Sequence, residues 1–337
     1  MIQDRYNLAM RSDNQSAFVT FVILNDFFLP GALMQAYALK RQLTRADTVC
    51  LVTPDISPNA REALQTVFDY VVVVDPILIK CKPSERRQDL PWLLTRLNAL
   101  RLGSDGDLGF GYQKIVFLDA DVLPLKHYDH LFLVDSPGGV LNERPGNLIT
   151  RDKHGRQDKP ALVDIAGRWV WHEIYREYGH GSSIPREITD RVKFDPSNVG
   201  INTALLVLEP SIAEYGAILE DVHRDEMKAL LINVFDWPDM QYLTLWWSGK
   251  WHNVDACFCG INGYPSLSVL FGTHLAGIKP WDQKRWKSVK HHSKYPDFHY
   301  WFLQFLCMMR DYPILNGVRK LSLLKQKIGE LALPAEV

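Results

Sequence analysis

Ile115-Val-Phe-Leu-Asp-Ala-Asp-Val122 is an apolar run that stops at two carboxylates, Asp119 and Asp121. A short run of large apolar residues suits a strand buried on both faces. Side chains two residues apart on a strand leave the same face, so both acids would emerge together from the end of a core strand. Two like charges that close need a cation between them. Hard divalent ions take oxygen ligands of this kind and commonly bring a phosphate. In α/β sheets, nucleotides bind beyond the carboxyl ends of the strands. The plainer reading of the same residues is a turn or a helix cap, both roles that Asp fills well.

Outward from this run, the chain alternates strand and helix. Residues 17–24, Ala-Phe-Val-Thr-Phe-Val-Ile-Leu, read as a buried strand that Asn25-Asp26 ends. Helical spacing follows over 32–44, a second strand over 48–52, a second helix over 58–68 and a third strand over 71–74. Residues 90–102 read as helical, and 103–111 as a turn rich in Gly and Asp. Repeated β-α-β units with short links predict an α/β fold with a mostly parallel, Rossmann-like central sheet and flanking helices. Over 137–197 the texture turns to charge, Gly and Pro, read as an insertion and a candidate acceptor-side lid. Order returns with a strand over 199–208 and a helix over 210–231. The division expected is one domain over 1–295 and a helical, amphipathic tail over 296–337.

Composition narrows the class. The chain has 337 residues, 47% hydrophobic and 23% charged, with net charge −1, so it can bury a large core. That balance argues against general nucleic-acid binding, which needs a basic face. The apolar stretch 298–309 is too short and too polar for a membrane span, and the first residues carry no signal-peptide pattern. Five cysteines, with Cys257-Phe-Cys259 at the wrong spacing for a zinc knuckle, point to a reducing, cytoplasmic compartment. The run 279–294 holds Lys284, Arg285, Lys287, Lys290 and Lys294 against Asp282 alone. It reads as a solvated face, or as peripheral contact with anionic lipid helped by Trp286 and the aromatic stretch 298–305.

Four further features carry chemistry. His274-Leu-Ala-Gly-Ile-Lys-Pro-Trp281 sets an imidazole ahead of a glycine that admits close backbone approach and a lysine that can meet a phosphate. Imidazole joined to two carboxylates suits manganese better than calcium. Phe235-Asp-Trp-Pro-Asp239-Met-Gln241 places an acid and an amide beside aromatics, a way to grip a sugar; it is equally a helix start with Pro238 at the first position. Asn202 is an amide inside an apolar strand and must be hydrogen-bonded, to the fold or to a ligand. Arg96 precedes the acids on a helix, a diphosphate partner or an ordinary surface charge.

Together these residues resemble glycosyltransferase family 8. The segments that carry the resemblance are Ala17-Phe-Val-Thr20 with Asn25-Asp26 and Gly31-Ala32, Phe117-Leu-Asp-Ala-Asp121, Gly200-Ile-Asn-Thr-Ala204, and His274 to Trp281, with its Gly-to-Lys spacing one residue shorter than the family's. The likeness runs over about residues 17–290. It implies a GT-A fold and retaining transfer of a hexose from a UDP-sugar to a sugar, glycan or polyol hydroxyl. It implies Mn2+, or Mg2+, on the UDP diphosphate, held by Asp119, Asp121 and His274. Asn25 and Phe28 would lie near uracil. Gly277 and Lys279 would touch phosphate, with Ala120 and Arg96 also at the donor. Asn202, Asp239 and Gln241 would line the sugar as the catalytic set. The family has Asp and Gln adjacent, whereas Met240 separates Asp239 from Gln241. A self-glycosylated tyrosine does not align: Tyr264 is near, but Asn262 is nearer. Two other classes stay open: a haloacid-dehalogenase-type phosphatase with Asp119 as nucleophile, and an inactive UDP-sugar-binding protein on the same fold.

Overall fold

The computed structural model describes residues 14–85, 87–141, 178–195, 198–264 and 266–331. Four strands, β1 (Ser16–Val22), β2 (Asp47–Val52), β3 (Tyr70–Val73) and β4 (Lys114–Leu118), form a parallel block in the order β3-β2-β1-β4. Helices α1 (Leu29–Arg41) and α2 (Pro58–Val67) make the crossovers, and a 3-10 helix (Leu90–Leu102) leads toward β4. β5 (Val122–Pro124) follows the acid turn directly, and β6 (Gly138–Leu141) and β7 (Ile201–Leu208) extend the sheet. β7 pairs antiparallel with both β4 and β6, and the short β8 (His252–Asn253) closes the seven-stranded sheet. β5 instead joins a small sheet with β9 (Gly260–Ile261) and β10 (Gly272–His274). This is the mixed α/β, mostly parallel architecture expected.

The period-two alternation of β1 sorts the core. Ala17, Val19 and Phe21 pack on the side of the 3-10 helix, with Leu94, Leu97 and Tyr242. Val22 joins the opposite side, with Leu33 and Ala36 of α1 and Leu64 of α2. Residues 210–231, read as one helix, are two: α3 (Ile212–Asp221) and α4 (Asp225–Asn233). Neither Gly nor Pro marks the break at 222–224. Ile218 and Val222 before it and Leu231 after it are all buried in one cluster, and the bend lets both halves turn their apolar residues inward.

Most of the segment read as an insertion, 142–177 and 196–197, lies outside the described residues, and the lid reading lies there with it. Its first part is strand β6 of the central sheet. After α5 (Pro238–Trp246) and α6 (Trp286–His292), the chain ends in α7 (Pro296–Asp311) and α8 (Arg319–Gly329). Phe298, Trp301, Phe302 and Phe305 of α7 are buried against α1 and Trp281. The aromatic stretch 298–305 is therefore core, not a lipid anchor, which corrects that part of the membrane reading. Among the described residues, no helix is long and apolar enough to cross a membrane. All five cysteines are free.

Candidate active site

β4 delivers Asp119 and Asp121 into a tight turn at its carboxyl end. The Asp119 N–H donates to the Ala204 carbonyl at 2.9 Å and the Val122 N–H to the Asp119 carbonyl at 2.9 Å. Gln35, buried on α1, donates to the carbonyls of Asp119 at 2.8 Å and Val122 at 3.0 Å. α1 can approach because residue 31 is glycine: a Cβ there would fall 2.2 Å from the Ala120 carbonyl oxygen and 2.6 Å from Trp281. Sequence reading missed Gln35. Its signal was an amide among Leu33, Met34, Ala36 and Tyr37.

His274 arrives through strand pairing. β10 runs antiparallel to β5 with His274 opposite Val122, which sets the imidazole beside Asp121. His274 Nε2 lies 3.4 Å from Asp121 Oδ2, and the Lys279 ammonium bonds the same oxygen. Lys279 also donates to the Leu275 carbonyl at 2.6 Å. Gly277 has φ +84°, the left-handed region that favours glycine, in the turn that returns Lys279 to the acids.

Arg96 is the second junction. Only 3% exposed, it reaches Asp119 Oδ1 at 3.3 Å and Asp239 Oδ2 at 3.1 Å. It also donates to the Thr203 carbonyl at 2.5 Å. Its guanidinium carbon lies 5.3 Å from the ring centres of both Phe21 and Phe117, within cation–π range. The surface-charge reading of Arg96 is thereby excluded. Asp239, in the first turn of α5, accepts from the Thr203 hydroxyl at 2.8 Å. Among the described residues, its other oxygen is buried without a hydrogen bond. An acid at a helix N-terminus also meets the positive end of the helix dipole.

The remaining candidates divide. The side-chain oxygen of Asn202 accepts from the Ala204 N–H at 3.1 Å. Gln241 is fully buried: its oxygen accepts from the Trp237 N–H at 2.8 Å and its amide donates to the Asn198 carbonyl at 3.0 Å. It binds the start of α5 to the segment that leads into β7. Asn25 is exposed at the end of β1 and caps the next turn through the Phe27 N–H at 2.8 Å. Phe28 meets Trp281 edge-on, ring centres 6.1 Å apart. The structure thus gathers Asp119, Ala120, Asp121, His274, Gly277 and Lys279 around one turn. Arg96 ties that turn to Asp239, and Trp281 ties it to Phe28.

The charges respond to this crowding. Burial pushes the Asp119 carboxyl up to about 6, against the pull of Arg96. Burial also opposes the charge on Asp121, but Lys279 and His274 outweigh it and hold that carboxyl well below the usual range. For His274, burial alone would favour the neutral ring; the Asp121 carboxylate prevails and lifts it to about 10. Among the described residues, no group of three or more His, Cys, Asp and Glu side chains is arranged as a metal cage. The acids are instead neutralised by Arg96, Lys279 and the imidazole.

The chain as a whole has relatives among known proteins. No family model matches the chain. It is 26% identical over 242 residues to uncharacterized protein R707 of Acanthamoeba polyphaga mimivirus, covering 71% of this chain and 69% of that one. It is 38% identical over 120 residues to glycogenin-1 of Homo sapiens, covering 34% of this chain and 32% of that protein. The chain thus spans about a third of the length of that glycogenin. The galactosyltransferase LgtC, solved in complex with donor and acceptor sugar analogs, shares the fold with TM-score 0.51 at 13% identity, covering 95% of this chain and 98% of that one.

Proposed function

We propose that this chain, glycosyltransferase family 8-like in sequence and fold, moves a hexose from a UDP-sugar to an acceptor hydroxyl with retention of configuration. The observation that carries the reading is the joining of two acid centres by one buried cation. Asp119 and Asp121 stand with His274 and Lys279 at the end of a parallel strand, and Arg96 couples them to Asp239. That is where a diphosphate and a sugar would lie side by side.

The residue types suit a divalent ion, which would have to take the carboxylates from Arg96 and Lys279. Two carboxylates and an imidazole at one turn supply hard oxygen and intermediate nitrogen ligands, the mixture that suits Mn2+. Asp119, Asp121 and His274 would hold it, and it would offset negative charge on the leaving UDP. The other steps belong to the chain itself. Lys279 is a point charge for a diphosphate oxygen, in a pocket where such a charge counts for more than in water. Arg96 fixes Asp119 and Asp239 relative to each other. The unbonded oxygen of Asp239 stabilises positive charge on the sugar carbon as the bond to UDP breaks. The amide of Asn202 takes a sugar hydroxyl. Gln241 acts by holding the start of α5, and thus Asp239, in place. Asn25 and Phe28 seat the uracil, and the backbone at Gly277 admits the phosphate.

The test is manganese-dependent UDP release across a panel of UDP-hexoses, with and without sugar and polyol acceptors. Asp121→Asn should abolish it; an unchanged rate would sink the metal assignment. Stabilisation by UDP and manganese with no turnover of any donor would point to a binding protein. Phosphate released from a generic ester would point to Asp119 as a phosphatase nucleophile.

A further inference from the structure

The basic run after Trp281 is not isolated in space. Lys287, Lys290 and Lys294 recur at helical three- and four-residue spacing, and all are exposed. The same surface continues onto α8, which brings Arg319, Lys320 and Lys327. Two contacts lock the segments together: Gln283 donates to the Lys320 carbonyl at 3.0 Å, and the Lys327 ammonium lies 5.2 Å from the Trp286 ring centre. Eight Lys and Arg side chains thus gather with three acids, Asp26, Asp282 and Glu330.

Little of that charge is neutralised internally. Arg285 pairs with Asp282 at 2.6 Å. Lys320 bonds a backbone carbonyl, that of Asp26. Among the described residues, Lys284, Lys287, Lys290 and Arg319 have no carboxylate within ion-pair distance. One apolar side chain stands out beside Arg319 and Lys320, Leu323 at 41% exposure. A cavity of about 360 Å³ opens where the face meets the start of α2, lined by Asp26, Ser57, Gln283, Arg319, Lys320 and Leu323, so its two cations face one carboxylate.

We infer that this face docks the protein on an anionic lipid bilayer. Unpaired cations attract the negative surface, each contributing additively over a Debye length. Leu323 enters the headgroup layer, the shallow insertion typical of interfacial helices. The inference does not depend on the reaction proposed above.

Sedimentation of the full chain with phosphatidylcholine vesicles, with and without phosphatidylserine and at low and high salt, tests it. Binding should require phosphatidylserine and fall away at high salt. The exposed triple variant Lys284→Glu, Lys287→Glu, Lys290→Glu should weaken partitioning on the order of a hundredfold. On the other helix, Arg319→Glu alone should weaken it about fivefold. Both should keep the wild-type melting temperature. Equal binding to neutral vesicles, no binding to either, or folded variants that bind as the wild type does, would each overturn the inference.

Discussion

Arg96 serves two acids at once and has almost no contact with water, so its removal should be felt first in stability. Breaking a buried ion pair by deleting one partner costs about 3–5 kcal/mol, because the other charge is left uncompensated. Arg96→Met should lose that much in denaturant unfolding at neutral pH. It should regain part of it on acidification, as Asp119 takes up a proton. A loss below about 1 kcal/mol, the range of exposed pairs, would show that the cation is not shared as described. His274 offers a second test. Its folded value of about 10 exceeds the ordinary 6.5. The imidazolium's contribution to stability is therefore fully present below the ordinary value and is lost as pH rises through about 10. Ring NMR of the metal-free protein should show that late titration, and Asp121→Asn should move it well down, since burial then meets only the weaker pull of Cys259. A wild-type midpoint near 6.5 would contradict the contact. Manganese needs the neutral ring, so its binding should strengthen with rising pH and release a proton.

At the scale of elements, the site is the product of two approaches that local sequence does not announce. One is the pairing of β10 with β5, which puts His274 opposite Val122 and hence next to Asp121. The other is the contact of α1 with the acid turn. A methyl at position 31 would meet the Ala120 carbonyl and Trp281; both are fixed by the fold, so α1 would have to move. Gly31→Ala should cost about 1–3 kcal/mol, as overpacking does, and lower activity by displacing Gln35 from the turn. Wild-type stability and rate in this variant would mean that α1 and the turn are not in register. Gln241 shows the same dependence on context. A buried amide near an acid reads as a sugar contact, yet both of its polar groups carry backbone partners.

Across the whole molecule, the C-terminal helices belong to the core that braces the site. Trp301 lies 5.5 Å from Trp281, and the Tyr37 hydroxyl of α1 donates to Asp311 at 2.6 Å. Truncation after residue 295 would expose Leu33, Ala36 and Trp281, an apolar surface of the kind that drives aggregation. The shortened chain should be insoluble or show a melting transition well below that of the full chain; a soluble product with the same transition would make the tail a separate unit. The parallel block of the sheet, the crossover helices and the acid turn were legible in sequence, because strand and helix periodicities and a strand-ending Asp-x-Asp are local patterns. The break in the 210–231 helix was not, because the bend answers to burial on a surface built by other segments. So did the fate of each charge: that Arg96 lies between two acids, that Lys279 sits on Asp121, and that two distant basic stretches share one face. Hydrophobic order along the chain sets what is buried. Which charged groups meet, and so what each can bind, depends on distances between residues that only packing brings together.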